Sequence, residues 1–493
     1  MKNWPQNPVI NEINTWVWLQ ELRQQYQRPI SLAEVPPAEW DVLASWGFDA
    51  VWLMGVWERS PAGRDIALQD ANLLKSFREA LPDYTADDIA GSPYCVRQYA
   101  VAASLGGNPG LAAAREELKR RGLGLILDLV PNHVAPDHPW VRSHPEYFIQ
   151  GGPEDLAREP QSFFQAGNQV LARGRDPYFP PWPDVIQVNA FSPGFRQALI
   201  DTLLTLAGQC DGLRCDMAML LVNRIFRQTW GERAGEPPVR EFWEEVIPAV
   251  KEHYPEFRFI AEAYWDMEWE LQSQGFDYCY DKRLYDRLEH EGAEAVRQHL
   301  LADVSYQGKQ VRFIENHDEP RAAATFGLEQ ARAAAVTIAT LPGARLYHQG
   351  QFQGRRVRLP VFLGRYPEEA ADGGLEEFYR KLLAATAHPV FREGAWRLGE
   401  RWGWPDNQSC LNIVAWGWQL NQERRFIVVN LSPWRSQALV RLPWNDLAGK
   451  TWRLTDALTA ARYDRDGADL ANGLFVDLEP WQFHLFLVET ISD

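Results

Sequence analysis

Asp211-Gly212-Leu213-Arg214-Cys215-Asp216 is the stretch from which the chain is best read. A short apolar run ends in an arginine and a carboxylate two residues apart. In a strand, residues i and i+2 point to the same face, so Arg214 and Asp216 project together from the strand's tip. An arginine beside a carboxylate holds it ionised and fixes its direction. A carboxylate nucleophile needs both. Taken by itself, the pair reads more simply as a structural ion pair, so the surrounding chain has to decide.

Outward from this strand the pattern is regular. The periodicity predicts a helix over 193–209 before it and another over 240–253 after it, then a strand Phe257-Arg258-Phe259-Ile260-Ala261-Glu262. Upstream, strands are expected at 9–19, 48–54 and 123–129, with helices at 32–46 and 109–121 between them. Downstream, strands are expected at 276–279, 310–314 and 344–348, with helices at 281–299 and 328–340. Strand, helix, strand repeated through most of the chain is the parallel βαβ unit. Eight such strands predict an α/β fold, a (β/α)8 barrel enlarged by insertions.

Two stretches depart from the repeat. The connection 55–107 is too long for a simple loop and reads as functional. Residues 134–183, rich in Pro, Gly, Phe and Tyr, read as an irregular inserted domain. After about 395, short apolar runs at 411–418, 425–431, 437–442, 474–478 and 483–488 alternate with turns such as Pro405-Asp406-Asn407. This reads as a C-terminal antiparallel β-sandwich. The expected division is 1–133 and 184–394 for the barrel, 134–183 for the insertion and 395–493 for the β domain.

Composition narrows the function. The chain has 493 residues and a formal charge of −16. That argues against a nucleic-acid or anionic-membrane partner, which would want a basic face. The 22 Trp are many for this length; most are expected in the core, though indole faces also stack on sugar rings. The start has no apolar signal core, and no stretch is long enough to span a bilayer. Cys95, Cys210, Cys215, Cys279 and Cys410 are odd in number and lack metal-site spacing; Cys210 and Cys215, near one strand, are expected as buried small residues, and a reducing, cytoplasmic compartment is expected.

Polar clusters fall where the barrel needs them. Asp128-Leu129-Val130-Pro131-Asn132-His133, Arg214 with Asp216, Glu262, and Glu315-Asn316-His317-Asp318 all end strands at their carboxyl tips. That face carries the active site of such barrels. Hydrolysis of a glycosidic bond needs one protonated carboxyl and one carboxylate. Arg214 favours the charged form of Asp216. Glu262, behind Phe259-Ile260-Ala261, has no cation beside it in sequence, so its site should raise its pKa.

These four motifs, in this order, resemble the signature regions of the alpha-amylase family, glycoside hydrolase family 13. Pro183-Asp184-Val185 resembles a fifth, and Leu341-Pro342-Gly343 before the last strand also fits. The resemblance spans almost the whole chain. It implies a retaining mechanism on α-glucosidic bonds, with Asp216 the nucleophile, Glu262 the general acid/base and Asp318 binding ring hydroxyls. It implies that His133 and His317 bond the sugar, Arg214 orients Asp216, Tyr94 stacks under the ring and Asp128 supports the site from behind. Asn132 is a calcium ligand in many members, or only a loop cap; no other cofactor is implied. Trp140 and Trp182 are expected to pack, and Asp281 to cap a helix or join a salt bridge. Met219 and Leu220 stand where endo-acting members carry a Lys-His pair, so a short α-glucan or α-glucoside is the expected substrate. The same residues serve a transglycosylase or sugar isomerase. A non-catalytic carbohydrate-binding relative would have lost one of the three acids, and all three are present.

Overall fold

The computed structural model describes residues 4–491. Eight parallel strands close into a barrel, each paired with the next in sequence and the last with the first. They are β1 (Val9–Asn14), β2 (Ala50–Met54), β3 (Gly124–Leu129), β4 (Gly212–Cys215), β5 (Arg258–Ala261), β6 (Tyr278–Tyr280), β7 (Gln310–Arg312) and β8 (Ala344–His348). Strands such as Leu125-Ile126-Leu127 are buried on both faces, as a parallel sheet wrapped by helices requires. Gly343 enters β8 at φ +102°, where a Cβ would lie 2.3 Å from the Gln310 carbonyl oxygen, so only glycine fits there.

The register positions the site. Arg214 of β4 lies level with Asp128 of β3, and Cys215 with Ala261 of β5. The next residues, Asp216 and Glu262, therefore leave neighbouring strand tips side by side.

Several boundaries differ from expectation. The first strand stops at Asn14 rather than running to Leu19. The Asn14 side chain accepts from the Val17 N–H at 3.4 Å and caps a helix, Thr15–Tyr26. Thr15, Trp18, Leu19 and Leu22 form that helix's buried face, a spacing of three and four that a short Trp-Val-Trp-Leu run conceals. The connection 55–107 is not plain loop; it holds an irregular hairpin, Trp57–Arg59 with Val96–Val101, and helices Pro61–Ala67 and Ala71–Ala80. The helix expected over 281–299 is broken into Lys282–Asp286, a π-helical turn Arg287–Glu291 and Ala293–His299, with Gly292 at φ 83° in the break.

The insertion after β3 has more order than its composition suggests. It contains the helix Pro153–Arg158 and a three-stranded sheet of Gln150–Gly151, Gln169–Ala172 and Phe163–Ala166. Its base is tied by an antiparallel pairing of His133–Val134 with Ile186–Gln187.

The C-terminal part is a sandwich of a six-stranded and a three-stranded sheet. It includes two strands not anticipated from sequence, Thr451–Asp456 and Arg462–Asp466, whose alternating charges mask the strand pattern. Two strands of the larger sheet, Ile413–Leu420 and Glu423–Asn430, are buried on both faces. Val414, Trp416, Trp418, Ile427 and Val429 pack against the barrel's core. Ile413, Ala415, Phe426 and Val428 pack against the second sheet. All five cysteines are buried and unpaired. Among the described residues no helix is long and apolar enough to cross a membrane.

Candidate active site

Arg214 is the centre of the site. Its guanidinium is buried at the mouth of the barrel, packed over the rings of Tyr94, Trp52 and Tyr280 at 5.2, 5.5 and 5.7 Å. Nη1 donates to Asp216 Oδ1 at 2.8 Å, while Nη2 lies 2.9 Å from Glu262 Oε2. The second contact is a close charge pair without hydrogen-bond alignment; Oε2 accepts the Met217 N–H at 2.6 Å instead. One rigid cation thus spans two carboxyls, and Glu262 has in space the cation that it lacks in sequence.

Met217 makes this possible with a left-handed backbone, φ 44°. A non-glycine residue there costs free energy, so the surrounding structure must hold it. Ala218 donates its N–H to the Glu262 carbonyl, and its own carbonyl accepts from the Trp243 indole at 2.9 Å. The turn buries Met219 and Leu220, so these residues face the core.

Electrostatics separate the two carboxyls. Burial, opposed by Arg214, pushes Glu262 up to about 7, with the charges of Asp216 and Asp318 adding to the rise. Tyr264 donates its hydroxyl to Glu262 Oε1 at 3.1 Å. Burial raises Asp216 overall, although Arg214 favours its charged form as read from the sequence. Arg214 opposes the rise through both charge and hydrogen bond.

Across the cleft, the turn after β7 is built by its own side chains. Glu315 accepts from Arg321 Nη1 at 2.6 Å and from the Ala322 N–H at 2.7 Å. Asn316 Oδ1 accepts from the N–H groups of Asp318 and Glu319. This turns His317 inward and leaves Asp318 open to the cleft, its side chain 44% exposed. Burial works against charge on His317, but Asp318 and Glu12 outweigh it and raise its pKa well above the ordinary histidine value. Its Nε2 is 2.9 Å from Asp318 and 2.6 Å from the Tyr94 hydroxyl; its Nδ1 is 2.5 Å from Glu12 Oε1. Partial loss of water around it in the cleft would raise Asp318, but the His317 charge and hydrogen bond hold it down at about 2.

Tyr94 packs nearly parallel to the His317 ring, centroids 5.5 Å apart. Asp128, fully enclosed, accepts from the Trp52 indole at 3.2 Å and the Gly55 N–H at 2.9 Å, and burial raises its pKa. His133 is buried, its pKa lowered to about 4 by that burial, and its ring lies 5.3 Å from Trp182. Trp182 also packs against Cys95, Ala135 and Val185, and Trp140 packs with His138, Tyr147 and Phe195. Asp281 caps the helix at Leu284 and pairs with Arg312 and His299 away from the cleft.

Asn132 is held by a neighbouring amide. Its Oδ1 and its carbonyl accept from the buried Gln187 amide at 3.0 and 2.9 Å. A calcium ion takes six to eight oxygens, and among the described residues no group of three or more His, Cys, Asp or Glu gathers to hold a metal. The amide pair instead joins the barrel to the base of the insertion.

Sequence reasoning missed three groups. Glu12 is an acid in the middle of an apolar strand, Val9-Ile10-Asn11-Glu12-Ile13, and that misplacement was a visible signal. Tyr264, two residues beyond Glu262, was a weaker one. The Met217 N–H has no signal in residue type, because it depends on backbone conformation.

Comparison with known proteins bears on this geometry. The alpha-amylase catalytic-domain family model matches residues 39–412. The chain is 26% identical over 353 residues to the alpha-amylase MalA of Haloarcula japonica, covering 70% of this chain and 44% of that protein. It is 27% identical over 228 residues to the alpha-1,4-glucan:maltose-1-phosphate maltosyltransferase of Rhodospirillum rubrum, covering 44% of this chain and 26% of that protein. In fold it is similar to the maltogenic alpha-amylase AmyB of Thermotoga neapolitana, with TM-score 0.70, 18% identity and 99% of both chains covered. The match to the family model over most of the barrel, with all four signature regions on their expected strand tips, means that this chain belongs to the alpha-amylase family.

Proposed function

We propose that the chain is a retaining glycoside hydrolase that cleaves the α-glucosidic bond of a short α-glucan or α-glucoside. One observation carries this reading: a single guanidinium lies between two carboxyls on adjacent strand tips, and one of them is raised to about 7. A retaining enzyme holds its carboxyls about 5–5.5 Å apart, an inverting one about 6.5–9.5 Å. Two carboxyls sharing one guanidinium suit the shorter spacing.

In the first step an Asp216 oxygen attacks the anomeric carbon. The bond to the leaving oxygen breaks, and that oxygen takes the proton of Glu262. In the second, water gives a proton to Glu262 and attacks the same carbon, releasing Asp216. Arg214 holds both carboxyls in place. Asp318, with the His317 imidazolium, binds ring hydroxyls and favours developing positive charge; His133 is a neutral hydrogen-bond partner, and Tyr94 stacks under the ring. Asp128 fixes the wall behind them. Neither step requires a bound cofactor.

The transferase name of the Rhodospirillum relative supports a second reading, in which a sugar hydroxyl replaces water as acceptor. The charge of −16 and the buried thiols support a cytoplasmic enzyme without nucleic-acid or membrane partners.

Product analysis on maltose, maltotriose, trehalose, sucrose and soluble starch tests the reading. Glucose or short maltosaccharides as net products support hydrolysis; longer or isomeric sugars support transfer. Asp216→Asn is expected to lose at least about 10³-fold in kcat, and unchanged activity would refute the mechanism. Glu262→Gln is expected to retain more activity on substrates with good leaving groups, which need less protonation; equal loss on all of them counts against Glu262 as the acid.

A further inference from the structure

The cleft has two ends, and the acid distinguishes them. Glu262 protonates the leaving oxygen, so the departing part of the substrate lies on its side, at β5. The retained sugar extends the other way. In a ring of eight sequential strands, β1 stands opposite β5, flanked by β8 and β2. The loops after β8 and β2 therefore form the rim beyond the retained sugar.

Those two loops are sewn together. The chain after β8, residues 349–372, is irregular apart from one bridge. It meets the β2 loop main chain to main chain: Ala90 N–H donates to the Phe362 carbonyl at 2.8 Å, Gly364 N–H to the Asp88 carbonyl at 2.8 Å, and Ile89 bridges Leu363 antiparallel. Ile89 and Leu363 are buried with Phe77 and Leu81 in a separate apolar cluster. Outside, Arg365 bonds both oxygens of Asp88, at 2.7 and 3.0 Å, and reaches Asp83 at 3.2 Å. Beneath, the buried Arg59 ties both loops through the Gly91 carbonyl at 2.6 Å and the Val361 carbonyl at 3.4 Å.

The seam abuts the sugar-stacking position. Only Gly91, Ser92 and Pro93 separate Ala90 from Tyr94, whose hydroxyl touches His317. Four residues span at most about 14 Å, which leaves little room for a glucan to run on. Arg358, four residues before Phe362, is exposed and near enough for its charge to act on Asp318, so the same loop runs from Asp318 to the seam.

We propose that the seam between residues 88–90 and 360–364 closes the glycone end of the cleft, so that the enzyme takes α-glucans from the non-reducing end and excludes their internal segments. This rests on the glycosidase reading above.

The test compares maltoheptaose labelled at its reducing end with two partners. One is the same chain with its terminal 4- and 6-hydroxyls tied in an ethylidene acetal; the other is a cyclic maltosaccharide with no end. Labelled products shortened by one or two units, with the blocked and cyclic compounds cleaved at least 100-fold more slowly, are expected. Cleavage of all three within tenfold overturns the closed end while leaving the glycosidase intact. No cleavage of even the open chain overturns this proposal, and the glycosidase reading falls with it only if maltose, trehalose and sucrose are also left intact. The Leu363→Gly, Arg365→Ala double variant, checked for native circular dichroism, is expected to gain at least tenfold on the blocked compound. Unchanged exclusion in a folded variant assigns the block elsewhere and overturns the role of the seam.

Discussion

Glu262 gives the sharpest prediction at the scale of a residue. A carboxyl raised to about 7 works as an acid only while protonated. As pH rises through about 7 the proton is lost, and kcat/KM is expected to fall on that limb; at low pH, protonation of Asp216 removes the nucleophile and sets the other limb. The pH profile of kcat/KM checks this, and in Glu262→Gln the basic limb should disappear. Glu12 acts one residue removed. It holds His317 charged from the side facing away from the cleft. A charge-assisted hydrogen bond is worth about 1.5–3 kcal/mol, so Glu12→Gln is expected to lower kcat/KM by about 10- to 100-fold. A purely structural role for Glu12 would leave the His317 titration where it is; the positioning role predicts, by NMR, that the His317 pKa falls.

At the scale of elements, the seat of the insertion on the barrel depends on amides. Gln187 is fully buried, and its Nε2 donates to both Asn132 oxygens and to the Val188 carbonyl. Orphaning a buried polar partner costs about 1–3 kcal/mol. Thermal unfolding is therefore expected to be unaffected by a chelator, whereas Gln187→Ala lowers the transition temperature. A transition temperature that drops on chelation would return Asn132 to the role of metal ligand. The elements themselves were unevenly legible. Residues 328–340 and 344–348 match their expected limits, because Gly327 and the Pro342-Gly343 turn bound apolar runs there. The strand at 9–19 misled, because Trp16-Val17-Trp18-Leu19 is apolar at every position and only the Asn14 cap marks the change to helix. The charged pair of strands at 451–466 misled for the opposite reason, since Arg453 and Asp464 satisfy each other across strands at the surface.

The whole molecule is held by the face that the C-terminal sheet turns to the barrel. The indoles of Trp416 and Trp418 both donate to the Thr340 carbonyl, at 3.1 and 2.7 Å, at the end of the helix Leu328–Thr340 that leads into β8. Both are fully buried, and truncating a buried tryptophan costs about 3–5 kcal/mol. Trp418→Ala is expected to lower the unfolding free energy by that amount, read from denaturant titration, and, since β8 carries the glycone-side loop, to broaden product length as well. Separate unfolding of an intact, active barrel would show that the two parts are energetically independent.

What the sequence by itself determined is local and periodic. Alternating strands and helices follow from the apolar pattern, and the acids at strand tips stand out because charged groups end strands that are otherwise buried. That suffices for the barrel, for the family, and for placing Asp216, Glu262 and Asp318 at strand tips. Tertiary structure alone decided what depends on groups far apart in sequence. Arg214 serves Glu262 as well as Asp216 because β4 and β5 pair in one register. Glu12 and His317, 305 residues apart, meet because the barrel closes. The balance between burial and a neighbouring charge is a property of distance and surrounding medium, neither of which is written in the order of residues.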